Sequence, residues 1–174
     1  MKNIFLSIMT LLIVVACQNN KERYTQNAPE IETYKKALKD YEMANWEALA
    51  SHYADTAKVY LNATKKNPQS VAEMIEQDKS DFELFSNVTL VPEESEFEKV
   101  LTDKGHTWVN FWGLWQGRLK ATNELFEIPV HLTARFENGK IVEEHGYWNN
   151  SSIAMALMKL PETAASETTE QAKE

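Results

Sequence analysis

The stretch Phe126-Glu127-Ile128-Pro129-Val130-His131-Leu132-Thr133-Ala134-Arg135-Phe136-Glu137-Asn138-Gly139-Lys140 decides the fold. Apolar side chains fall at every second position from Phe126 to Phe136, the period of a strand with one buried face. Asn138-Gly139 is the usual pair for a tight type I′ hairpin, so Lys140 to Trp148 is expected to return beside this strand. Upstream, His106 to Gln116 reads as another long strand, with Trp108, Asn110, Trp112 and Leu114 on one face and Val109, Phe111, Gly113 and Trp115 on the other. Both faces are largely apolar, which does not suit a strand with one side in water. One face is expected to meet helices and the other a partner sheet or subunit, with Gly113 and Gly117 allowing a bend.

The first half of the chain carries a different period. Pro29 can open a helix from its first turn, and Ile31, Tyr34, Leu38 and Tyr41 follow at three- and four-residue spacing. Asn45 is placed to cap a short second helix that turns Trp46, Leu49 and Tyr53 inward. Ser70 and Glu73 form a capping box ahead of Val71, Met74, Ile75, Phe82 and Phe85, predicting a third helix from about residue 70 to 85. Lys58 to Leu61 and Val88 to Val91 are short strand candidates. Helices first and a meander afterwards make an α+β domain, a cone-shaped roll of three N-terminal helices packed on a strongly curved antiparallel sheet. Ser152 to Leu160 is apolar enough for one more short helix or closing segment.

The ends carry an address. Lys2 and a dozen apolar residues ending at Ala16 are the parts of an export signal, and the run is too short for a permanent span of about 20 residues. Val14-Val15-Ala16-Cys17 resembles the bacterial lipoprotein processing box, in which cleavage exposes a cysteine that is then acylated with chains such as palmitate. Residues 1–16 are therefore expected to be a signal peptide, 17–29 a lipidated tether, 30–160 the folded domain and 161–174 an acidic disordered tail. Cys17 is the only cysteine of the 174 residues, so no disulfide is available. The expected location is the cell envelope, periplasmic and anchored to the outer membrane. The net charge of −8 argues against nucleic acid and against electrostatic attraction to an anionic bilayer, leaving the lipid to hold the chain there.

Tyr41-Glu42-Met43-Ala44-Asn45-Trp46-Glu47-Ala48-Leu49-Ala50-Ser51-His52-Tyr53-Ala54-Asp55, followed at a distance by Phe136-Glu137-Asn138-Gly139-Lys140-Ile141-Val142-Glu143-Glu144-His145-Gly146-Tyr147-Trp148-Asn149, resembles the SnoaL-like branch of the nuclear-transport-factor-two-like superfamily. The resemblance runs from about Glu30 to Met158. It implies three helices across a curved sheet, a pocket at the wide end of the cone, and a homodimer made by the backs of the sheets. The superfamily includes cyclases, isomerases, dehydratases and proteins without catalysis, so the fold does not select a reaction.

Asp55 matches the acidic position after the second helix in this family, and Trp46, Tyr53 and Tyr60 nearby would raise its pKa. His145 and Tyr147 share a strand face, where an imidazole could move a proton while a phenol steadies negative charge. Asn149 stands where related sequences often carry an acid, which weakens the enzymatic case. Trp46, Tyr53, Trp108, Asn110, Trp112 and Trp148 are the candidate ligand contacts. The four histidines, His52, His106, His131 and His145, show no metal-ligand spacing, and neither a phosphate loop nor a glycine-flanked serine elbow occurs, so no metal and no cofactor is assigned. The leading expectation is a membrane-anchored pocket domain binding a small hydrophobic ligand or an envelope partner. The alternative is a cofactor-independent lyase, isomerase or cyclase moving a proton with Asp55, His145 or both.

Overall fold

In the computed structural model, which describes residues 22–161, the two long strands pair as their patterns require. Strand β5 (Thr107–Leu119) runs antiparallel to β6 (Glu124–Glu137) over its whole length. Val109, Phe111 and Trp115 stand opposite Ala134, Leu132 and Ile128 on one face, while Trp108, Asn110 and Trp112 stand opposite Arg135, Thr133 and His131 on the other. Asn138 and Gly139 take φ values of 51° and 76° and turn the chain into β7 (Lys140–Trp148), as the hairpin signal predicts. On the inner face, a side chain at Gly113 or Gly117 would collide with the ring of Phe111 or Trp115, so each glycine lets an aromatic ring lie across the strand.

Helix α1 (Pro29–Glu42) begins at its proline and buries Ile31, Tyr34 and Ala37. Helix α2 (Trp46–Ser51) follows a tight reversal through Ala44, whose φ is 53°. Asn45 occupies the N-cap position of α2, but its side-chain amide donates to Asp40 (3.2 Å) and makes no cap bond, contrary to the sequence expectation. Helix α3 (Val71–Leu84) carries the full Ser70–Glu73 capping box. Together these helices cover the face that holds Val109 and Phe111, both fully buried, and form one apolar core with Val59, Ala134, Phe136 and Ile141. A fourth helix, α4 (Ser151–Leu157), closes a smaller cluster of Phe85, Leu119 and Phe126.

Strands run in the order β1-β4-β5-β6-β7-β2, with β3 also paired to β5, and the two ends of the curled sheet do not meet. Strand β4 (Glu96–Leu101) takes the first half of the β5 edge and β3 (Phe85–Leu90) the second. All pairings are antiparallel except one: β2 (Tyr53–Leu61) lies parallel to β7 because helices and not a hairpin connect it to the sheet. Strand β2 starts at Tyr53, five residues before the Lys58 expected from periodicity, and α3 ends one residue early because Phe85 already opens β3.

Two strands carry no sequence signal of their own. Half of β4 is charged, as suits a strand near a sheet edge, and this hides its alternation. Strand β1 (Tyr24–Thr25), within the stretch read as tether, pairs with Val100 and Lys99, and Arg23 adds an ion pair to Asp103 (3.0 Å). The expected export signal, Cys17 and residues 162–174 lie outside the described residues.

Candidate functional site

A single extra residue in β7 sets which side chains enter the cone. From the Asn138-Gly139 turn, Glu137 pairs with Lys140 and Phe136 with Ile141, but the next pair is Arg135 with Glu143. Val142 is the surplus residue of a β-bulge, and past it the alternation is inverted. Without the bulge, Glu143, His145 and Tyr147 would follow Ile141 inward. With it, Glu144, Gly146 and Trp148 face the interior, and Glu143, His145 and Tyr147 face outward with Thr133 and His131.

Glu144 is thereby a carboxylate in the core, 4% exposed. The phenol of Tyr34, from α1, donates to its Oε1, and that of Tyr53, from the start of β2, donates to Oε2 at 2.6 Å. Burial raises the pKa of Glu144, and the two phenols and the charge of His145 offset part of that rise. Both tyrosines are driven well above the ordinary phenol range, first by burial and then by the carboxylate they hold.

A second carboxylate joins this group. Asp78 lies on the α3 stripe between Met74 and Phe82, and its pKa is pushed up to about 8 by burial, then by the neighbouring carboxylates of Asp81 and Glu144. Tyr41 completes the group; its hydroxyl accepts a hydrogen bond from Trp115 Nε1 (3.1 Å), and its ring meets Phe82 edge-on. The group thus combines carboxyl groups of raised pKa, Asp78 among them at about 8, with phenols that stay protonated and serve as hydrogen-bond partners.

A groove of about 440 Å³ opens beside this interior, between α2, the beginning of β2 and the first turns of α3. Its walls are mostly apolar, with Trp46, Ala50, Val71 and Ile75 among them, and Tyr53 joins the groove to the buried Glu144. Trp46 is braced edge-on by Phe82 (5.2 Å between centroids). Asp55 also lines the groove and is exposed. Of the residues named from sequence, Trp46, Tyr53 and Asp55 therefore come together, but Tyr60 does not join them.

Tyr60 instead stacks on His145 on the outer face, 4.7 Å between centroids. His145, Tyr147, His131 and Trp112 continue the stack, with Trp108 tilted against His145. His145 is buried there and contacts Glu143 at 2.9 Å. Against the cost of burial, hydrogen bonds from His145 and Lys65 hold Glu143 down to about 2. Asn110 accepts from Thr133 (2.7 Å) on the same face. Trp108, Asn110, Trp112, His145 and Tyr147 are thus separated from the groove by the sheet, and Trp148 alone of the β7 candidates turns inward.

The residues that sequence reasoning missed are Tyr34, Asp78 and Glu144 as a functional group. Asp78 left a signal, since it falls on the apolar stripe Val71, Met74, Ile75, Phe82, where an acid is out of place. Glu144 left none that could be separated from Glu143 without knowing the bulge. Among the described residues no cluster of three histidine, cysteine, aspartate or glutamate side chains could hold a metal ion.

No protein-family model and no curated sequence matches the chain. Solved structures do. A SnoaL-like candidate polyketide cyclase from Jannaschia sp. CCS1 superposes with a TM-score of 0.62 at 12% identity, over 82% of this chain and 100% of that one. The fold is NTF2-like. The NTF2-like protein from Burkholderia xenovorans LB400 gives 0.58 at 16% identity over 76% and 98% of the two chains. IdmH, a candidate polyketide cyclase from Streptomyces antibioticus, gives 0.59 at 16% over 75% and 99%. These likenesses extend across nearly the whole of each neighbour, so the NTF2-like unit accounts for the helices and the sheet together.

The interior acids make stability depend on pH with a definite sign. Asp78 titrates at about 8 in the folded chain against an ordinary value of 3.8, so between those pH values the folded state holds a proton that the unfolded state has released. Stability to urea is expected to fall as pH rises from 5 to 8. Asp78→Asn flattens that slope and gains on the order of 1–2 kcal/mol at pH 8, after allowance for the partial exposure of the side chain. Denaturation midpoints across this range measure it, and an unchanged slope in Asp78→Asn would show that another group is responsible.

Proposed function

We propose that this chain is a lipid-anchored envelope protein whose NTF2-like domain binds a small, largely apolar molecule in the groove beside Tyr53. The observation that carries the reading is the groove itself, whose volume lies in the ordinary range for small-molecule sites and whose apolar walls are interrupted by only a few polar groups. The neutral fluorophore N-phenyl-1-naphthylamine is the first probe. It is expected to bind the wild type with a rise in emission, and Ala72→Trp, an exposed position on the groove wall, is expected to weaken it at least tenfold while leaving the thermal midpoint within a few degrees. Equal binding by both proteins would place the ligand elsewhere.

Anchoring rests on the N-terminal sequence, and no helix among the described residues is long and apolar enough to cross a membrane. Self-association through the outer face is supported by the ring stack there, in which Trp112 and Tyr147 remain 42% and 51% exposed. Mass spectrometry and sedimentation of the mature chain test both. The expected results are an acylated N-terminal Cys17 and a dimer that Trp112→Glu converts to monomer. A chain that keeps residues 1–16 without acyl groups, or a monomeric wild type, refutes the corresponding half.

The buried acids favour a second reading, a cofactor-independent lyase, isomerase or cyclase moving a proton beside a carbonyl. Its agents would be Asp78 and Glu144 with Tyr53, since His145 lies across the sheet and Asp55 at the solvent-facing wall of the groove. Solvent deuterium should then enter the α-carbon of an enolisable ketone such as 2-tetralone faster than in buffer, and Asp78→Asn should abolish the excess. Exchange at the buffer rate removes this reading and leaves the binding domain.

A further inference from the structure

We propose that the groove beside Tyr53 is selective for a free small organic cation, an ammonium group carried on a compact apolar body. This rests on the groove being the ligand site and narrows its occupant by charge. Every ionisable carboxylate or base that lines it is an acid: Glu47, Asp55 and Glu76, with no lysine, arginine or histidine among them. Glu76 already contacts Lys79 (2.7 Å), one turn further along α3. Among the described residues, no hydrogen bond or ion pair engages the side chain of Glu47 or Asp55, and both are exposed on apolar walls.

The aromatic groups act in the same direction. Indole and phenol faces attract an ammonium ion more strongly than a neutral group, and Trp46 and Tyr53 both line the groove. Tyr53 donates its hydroxyl proton to Glu144, which shifts electron density into the ring and strengthens that attraction. One feature of the groove would favour an anion instead: Ser70, Val71 and Ala72 bring the N-terminus of α3 to its wall. The capping box satisfies part of that end, since the Glu73 carboxylate accepts from the backbone N–H of Ser70 (2.7 Å) and from its hydroxyl (2.8 Å) and places a negative charge beside it. The carboxylates of Glu47 and Asp55 outweigh what is left of the helix end, which is equivalent to only about half a positive charge. At an exposed wall, each is worth roughly a three- to fivefold preference for a cation over a neutral isostere.

The test is titration of the mature protein at pH 7 and low salt with benzylamine, benzyl alcohol and benzoate, followed by backbone amide shifts. Benzylamine is expected to bind about tenfold more tightly than benzyl alcohol, with benzoate weakest, and the preference should shrink in about 1 M salt as screening shortens the reach of the charges. The double substitution Glu47→Gln, Asp55→Asn should bring benzylamine to the level of benzyl alcohol. Equal affinity for all three, with shifts centred on Trp46 and Ile75, overturns the cation preference and keeps the groove as the site. A preference that survives the double substitution overturns the assignment to these carboxylates. Failure of all three to bind, together with failure of the neutral fluorophore, overturns the groove reading as well.

Discussion

The hydrogen bonds that Tyr34 and Tyr53 make to Glu144 are the constraint on which the rest of the molecule depends. A carboxylate in an apolar core is costly unless both of its oxygens are engaged. Here the two donors come from different elements, α1 and the start of β2, while the acceptor comes from β7. One side chain is therefore satisfied only when three parts of the chain, far apart in sequence, are in place together. Any slip of β7 by a residue would turn Glu144 out and leave two phenols buried without their partner. The apolar core sets how compact the domain is, and this polar centre sets its register.

The same centre joins the core to the surface. Tyr53 donates its hydroxyl to the buried carboxyl group of Glu144 and lines the groove, and Asp78 lies within electrostatic reach of Glu144. Acids with raised pKa thus sit behind the wall of a groove whose own acids, Glu47 and Asp55, face solvent. The domain separates two kinds of carboxyl group, one whose pKa is raised by burial, the other exposed on the groove wall. The histidine and aromatic stack occupies the opposite face of the sheet, so the groove and the stack are divided by a layer of backbone.

Much of this arrangement is legible in the sequence. The strict alternation of β6, the Asn138-Gly139 turn, the Ser70–Glu73 cap and the periodic stripe of α1 each determine a local structure by short-range physics, and each is present as expected. What could not be read depends on pairing. The inversion at Val142 is a property of two strands and has no mark in one of them, so the sequence does not tell that Glu144, and not His145 or Tyr147, faces the cone. Strand β4 was hidden because half of its residues are charged, as suits its place next to the sheet edge, and this masks its alternation. The parallel contact of β2 with β7 is likewise a matter of how helices route the chain. Asp78 differs from these, because an acid on an apolar stripe is visible in the sequence itself.

The short strand β1 has a consequence for geometry at a membrane. Its pairing with β4 ties the chain to the sheet edge at Tyr24, and the backbone carbonyl of Arg23 accepts a further bond from Leu101 (2.8 Å). Only six residue steps separate Arg23 from Cys17. Fully extended, they span about 20 Å. Were acyl chains attached at Cys17 as proposed, the β1–β4 edge would be leashed within that radius of the lipid headgroups. The domain would then explore a narrow range of tilts and not a wide volume of the envelope, and the side facing the bilayer would be chosen by where a two-residue strand meets the sheet.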